Sequence, residues 1–167
     1  MTRPVYQTDT DDARQCIMAM DMSVMLSCTA LKMKPFSPID FTLIRYGKII
    51  AFLEVKWRQD YSVKKIADLG GYMLSRKKYD AMKSLSLAAK LPVYFSVYLS
   101  DGLYYAIIHN VTYVTEGRGG RRDRNDKKDI ERVVYIPMGN FHKVRHFTPT
   151  MTSKEFFLEE TQESFSV

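Results

Sequence analysis

The 167-residue chain is 46% hydrophobic and 26% charged, a balance that excludes fibrous and wholly disordered classes and allows one core. A net charge of +6 and a pI near 9.2 favour a polyanionic partner such as a nucleic acid. Two cysteines without metal-knuckle spacing argue against a disulfide scaffold and for a reducing cytoplasm, and no apolar run of about eighteen residues or signal core predicts a membrane span or export.

In chain order, residues 1–9 read as a flexible arm. Thr8 or Thr10 before Asp11 and Asp12 signals a helix start, with acids at its positive end, and the helix is expected to run to about Ser27. Its apolar residues form two faces, Ala13, Ile17, Met20 and Val24 on one and Met18, Met22, Met25 and Leu26 on the other, which predicts cover on most sides. The methionines read as pliable core filler.

Pro35 and Pro38 bracket a connection, after which residues 39–46 and 49–57 read as two strands joined by a hairpin at Gly47-Lys48. A polar stretch with Asp60, Lys64 and Lys65 follows, and then Gly70-Gly71, read as a hinge before a second helix from about Tyr72 to Ala89. Leu74, Met82, Leu85 and Ala89 make the apolar line of that helix. Residues 93–99 and 103–109 then read as strands around the turn Ser100-Asp101-Gly102. A charged loop from Gly117 to Lys128, a short strand at 132–136 and an acidic tail at 151–167 with Phe156, Phe157 and Leu158 complete the chain. Residues 10–150 are thus expected to form a single domain.

Within the strand at 49–57, Glu54 and Lys56 interrupt an otherwise apolar run. Alternation puts them on one face and Leu53, Val55 and Trp57 on the other. Alone, the pair reads as a surface ion contact of little energetic weight. Asp40 alters that reading, because the hairpin folds the start of one strand toward Glu54 on the next. Two carboxylates at about 4 Å repel by about 4 kcal/mol at an effective dielectric near 20, so a site holding both ionised needs a cation. Magnesium, a hard ion that takes oxygen ligands, suits such a site, and a lysine beside it could orient or deprotonate water and counter charge on phosphorus.

Pro38-Ile39-Asp40 followed by Glu54-Val55-Lys56 resembles the signature of the PD-(D/E)XK nucleases, and residues 10–110 resemble that fold's core in element order. Arg58, the segment Leu74-Ser75-Arg76-Lys77-Lys78-Tyr79 and Pro92-Val93-Tyr94-Phe95 are similar to small phage-encoded members, as is Tyr135-Ile136-Pro137-Met138 more faintly. The resemblance implies an α/β, restriction-endonuclease-like core with a central mixed β-sheet flanked by helices. It further implies that Asp40 and Glu54 ligate Mg²⁺ or Mn²⁺ with the Val55 carbonyl, that Lys56 is the catalytic lysine, and that the reaction is hydrolysis of DNA phosphodiesters. Many members carry a glutamate on the first helix; here Gln15 stands nearest, with Asp11 or Asp12 as substitutes. For a phage-encoded protein the place of action is the host-cell cytoplasm. A homodimer would pair two cuts. The rival reading is a catalytically idle nuclease fold that binds DNA or inhibits a host protein.

Lys78 falls at the head of the line Leu74, Met82, Leu85, Ala89, where it reaches either phosphate and carboxylates or merely the rim of the core. Arg58, Lys64, Lys65, Lys77 and Lys78 make a basic set for DNA. Arg118, Arg121 and Arg122 add a cationic, glycine-flexible stretch suited to a DNA backbone, although interspersed acids also fit a solvated loop. His142 and His146 lack further metal ligands and read as surface residues.

Overall fold

Thr8 opens helix α1 (Asp9–Leu26): its hydroxyl accepts the Asp11 N–H at 3.3 Å while the Asp11 carboxylate accepts the Thr8 N–H at 3.2 Å. This reciprocal cap satisfies donors that the first turn leaves without partners, and it makes residues 8 and 9 part of the helix start, not of an arm. In the computed structural model, residues 8–112, 114–119 and 131–144 are described. Residues 1–7 and the tail at 151–167, with Phe156, Phe157 and Leu158, lie outside them.

Ser27 turns left-handed at φ 50° and leads into β1 (Thr29–Lys32), a strand the sequence pattern does not announce because four residues are too few for a period. β1 pairs antiparallel with β2 (Phe41–Arg45), which forms the expected hairpin with β3 (Lys48–Arg58). Tyr46 and Gly47, both at positive φ, make its turn, and two such residues in succession match the twist of the flanking strands. β3 then pairs in parallel with β5 (Val93–Leu99), and β5 pairs antiparallel with β6 (Gly102–Ile107). With β9 (His142–Lys143) at the far edge, the sheet order is β1-β2-β3-β5-β6-β9. The fold is α/β with a central mixed sheet, as expected.

The parallel pair requires a crossover, and here the structure corrects the sequence reading. Residues 63–68 form a short helix, α2 (Val63–Asp68), within the stretch read only as polar. Residues 72–75 are not helical but form β4 (Tyr72–Ser75), and α3 (Arg76–Ala89) begins only after it. β4 joins a second sheet of order β4-β8-β7, with β7 (Thr115–Gly119) and β8 (Glu131–Ile136). Pairing with β8 overrides the helical spacing of Leu74 and Lys78, which belongs to a strand running directly into a helix. Ala89 is exposed at the end of α3, outside the buried line. Gly71 is correspondingly no hinge before a helix. At φ +126° it packs so closely on β8 that a Cβ would stand 2.5 Å from the Ile136 carbonyl oxygen.

Each face of the large sheet has its own core. Met18 and Met22 of α1 pack with Leu43, Leu53, Val55 and Leu103 on one side. Met82 of α3 packs with Phe95, Val97, Ile108 and Ile136 on the other. α1 is therefore covered on one face only: Met20 is 55% and Val24 73% exposed, contrary to the expectation of cover on most sides. Among the described residues no helix is long and apolar enough to cross a membrane.

Candidate active site

The site arises because β3 outlasts its neighbour β2. Their register ends at Phe41 opposite Leu53, with the Asp40 N–H bonded to the Leu53 carbonyl at 3.1 Å. β3 continues to Arg58 against β5 alone. The Val55 N–H, which has no β2 residue to meet, is taken by Asp40 Oδ2 at 2.9 Å. In a strand the N–H and C=O of one residue point toward the same edge. The Val55 carbonyl therefore faces the open edge where Asp40 stands.

Alternation directs Leu53 and Val55 into the α1 core and Glu54 to the α3 side. Glu54 is fully buried. Lys56 Nζ lies 2.6 Å from its Oε1 and Lys78 Nζ, from α3, 2.8 Å from its Oε2. The first contact is a hydrogen bond; the second is an ion pair out of hydrogen-bond alignment, which leaves Oε2 without a directed donor. Burial pushes the Glu54 carboxyl above its ordinary range, opposed by Lys56 and Lys78 and reinforced by Asp40. Burial pulls the Lys56 ammonium down, but Glu54 and Asp40 outweigh it and hold Lys56 protonated.

The N-terminal part of α1 and the end of β3 enclose a polar cleft of about 590 Å³. Gln15 lines it together with Val55, Lys56 and Arg58. Asp11 also lines the cleft but is engaged in the helix cap, and Asp12 reaches Lys32 at 2.8 Å. Arg14 stacks over Trp57 at 5.2 Å. Sequence reasoning missed Tyr72, a buried phenol that lies in the electrostatic reach of Arg58, Lys56 and Glu54. Residues 72–75, Tyr-Met-Leu-Ser, are too few and too uniformly apolar for a strand period to reveal it.

The remaining basic residues are dispersed. Arg58 and Lys77 are exposed, Lys64 pairs with Asp68 at 2.9 Å, and Lys65 sits 4.5 Å over the Tyr61 ring. Arg118 lies exposed on β7, in the second sheet, while Arg121, Arg122 and His146 lie outside the described residues. His142 is exposed on β9.

Among the described residues no cluster of three or more His, Cys, Asp or Glu side chains exists. The donor set is thus two carboxylates and one carbonyl. Mg²⁺ keeps several waters and binds through one or two carboxylates, so this set fits it, and the undirected Oε2 of Glu54 is free to accept a cation in place of Lys78.

A mixed sheet whose central strand carries a buried acid and a lysine two residues on, with an aspartate just before the adjoining strand, is the arrangement of the PD-(D/E)XK nuclease fold. The chain belongs to the family of phage putative PDDEXK endonucleases, whose family model matches residues 1–144. Among solved structures it is similar to Hjc, a Holliday junction resolvase from the archaeal hyperthermophile Archaeoglobus fulgidus, at 9% identity and a TM-score of 0.48. That similarity covers 78% of this chain and 92% of the resolvase. No curated protein matches the sequence.

Proposed function

We propose that the chain is a divalent-metal-dependent deoxyribonuclease in which Asp40, Glu54 and the Val55 carbonyl hold Mg²⁺ or Mn²⁺ and Lys56 serves hydrolysis of the DNA phosphodiester. The observation that carries this reading is Glu54: a fully buried carboxylate beside a second acid, at the open end of a strand, clasped by two lysines at 2.6 and 2.8 Å. A stabilising role alone does not account for it, because burying charge costs more than most ion pairs return.

The metal, when bound, supplies Lewis-acid charge and lowers the pKa of water. Lys56, beside Glu54 at 2.6 Å, orients or deprotonates water and opposes the charge that builds on phosphorus. Gln15 faces the same cleft and positions a water by hydrogen bonding. Arg58, Lys64, Lys65, Lys77, Lys78, Arg118, Arg121 and Arg122 supply charge for the DNA backbone. The place of action is the host-cell cytoplasm.

Incubation of supercoiled, linear and branched DNA with purified protein in Mg²⁺, Mn²⁺ or chelator tests this. Cutting in metal, reduced on the order of a hundredfold or more by Lys56→Ala, is the expected result. A folded protein that cuts nothing in either metal would sink the proposal. One feature favours a second reading, that of an idle nuclease fold which binds DNA or a host protein. Lys56 and Lys78 already balance Glu54 and Asp40 without a metal. It predicts partner binding that survives both chelation and Lys56→Ala.

A further inference from the structure

Arg58 lines two clefts. One is the polar cleft with Lys56; the other, of about 280 Å³, is walled by aromatic rings and floored by apolar side chains. Tyr61, Tyr72 and Tyr135 supply the rings, Ile66 the floor, and Arg58 is the one charged residue lining it among the described residues. Leu69 and Met73 line it at 60% and 45% exposure and give it an apolar margin. Gly71, seated against the Ile136 carbonyl, brings β4 close to β8 at the back of the cleft.

These properties select a ligand. The volume is near the lower limit of small-molecule sites and admits a planar ring, not a helix or a duplex end. Tyrosine rings stack on any nucleobase and their hydroxyls meet its polar edges. Arg58, whose guanidinium donates to the Trp57 carbonyl at 2.9 Å, lines both clefts and so joins this one to the cleft that holds Lys56. Lys65, above the Tyr61 ring at 4.5 Å, adds positive charge at the margin. A paired base offers only its edge in a groove; to present its face to these rings it must leave the stack.

We propose that this cleft receives one unpaired nucleobase of the DNA, stacked against Tyr61 and Tyr135, while Arg58 holds the adjoining phosphate toward the Lys56 centre. The chain then prefers DNA carrying an extrahelical nucleotide over fully paired duplex. This rests on the nuclease reading only in taking DNA as the ligand.

The test measures binding in chelator, by fluorescence anisotropy, to three duplexes: fully paired, with one extra nucleotide, and with an abasic residue at that position. The extra-base duplex is expected to bind roughly tenfold more tightly than the abasic one, the factor that one base stacked on an aromatic ring supplies. Tyr61→Ala and Leu69→Arg should erase that difference without weakening the abasic complex, and Tyr61→Phe should keep it. Leu69 is exposed, so its variant preserves the fold even where a tyrosine variant does not. Equal affinity for base and abasic duplexes, or a preference that survives both variants, overturns the assignment. Cleavage in Mg²⁺ without base preference would remove the cleft proposal alone; base preference without cleavage would remove the nuclease reading alone.

Discussion

Lys78→Met removes one of the two cations that hold Glu54 and leaves a side chain of similar length. At 2.8 Å the lost attraction is about 6 kcal/mol at an effective dielectric near 20. Desolvation of both partners offsets most of that, and Lys56 remains on the other oxygen, so the net deficit should be about 2 kcal/mol. Its pH dependence is the informative part. Burial already holds the Glu54 carboxyl above its ordinary range while Lys78 pulls it down, so the variant's carboxyl rises further. Where Glu54 is protonated in both proteins the deficit vanishes. It grows as pH rises through the raised pKa and is complete above it. Urea unfolding of metal-free wild type and variant between about pH 4.5 and about pH 9 reads this directly. Added Mg²⁺ should stabilise the variant more than the wild type, because a metal takes up the charge that Lys78 balanced. A deficit that is flat with pH and indifferent to Mg²⁺ would show that Lys78 acts through packing, and the charge argument would fail.

Asp40→Asn keeps an oxygen for the Val55 N–H, so its unfolding free energy should stay within about 1 kcal/mol of wild type while Mg²⁺ affinity in calorimetry drops about tenfold or more; unchanged metal affinity would remove Asp40 from the ligand set. Gly71→Ala forces a methyl against the Ile136 carbonyl at positive φ and should lower stability by about 3 kcal/mol, and a variant that melts with wild type would contradict the packing of β4 on β8. Asp21 sits half-buried in α1 with one carboxylate oxygen lacking a hydrogen bond, and burial pushes its pKa up to about 6. Because that folded value exceeds the unfolded one, the folded state loses stability as pH rises from about 4 through about 6. Asp21→Asn should therefore stabilise by about 1–2 kcal/mol above that window, after discounting for solvent screening, and by little below it; a gain independent of pH in chemical denaturation would point to another cause.

The centre of the fold was legible because its signals are local. The apolar, β-rich run from Ile49 to Trp57 and the turn at Gly47 specify the hairpin, and Glu54 and Lys56 stand out against that background. Less legible were features that depend on distant partners. Thr29–Lys32 becomes a strand only because β2 lies beside it, and Tyr72–Ser75 only because β8, more than fifty residues later, completes its ladder. The spacing of Leu74, Lys78 and Met82 mimicked one helix across a strand–helix junction. It still placed Lys78 at the head of a buried line, but whether that lysine meets phosphate, solvent or Glu54 depends on how α3 crosses the sheet. Tyr72 escaped notice for the same reason: a tyrosine assigned to a helix has no evident relation to a lysine on a strand.

The pairing of β3 with β5 also bears on the protein's synthesis. Parallel neighbours cannot be joined by a tight turn, so the partner of Glu54 in the ladder, Phe95, is made about forty residues later, after α2, β4 and α3. Asp40, Glu54 and Lys56 emerge from the ribosome early and close together, yet neither the buried setting of Glu54 nor its contact with Lys78 exists until the crossover has closed. A nascent or prematurely terminated chain ending before β5 therefore carries every residue of the motif without the environment that arms it. The connectivity itself delays the burial of Glu54 until more than half of the 167-residue chain has been made.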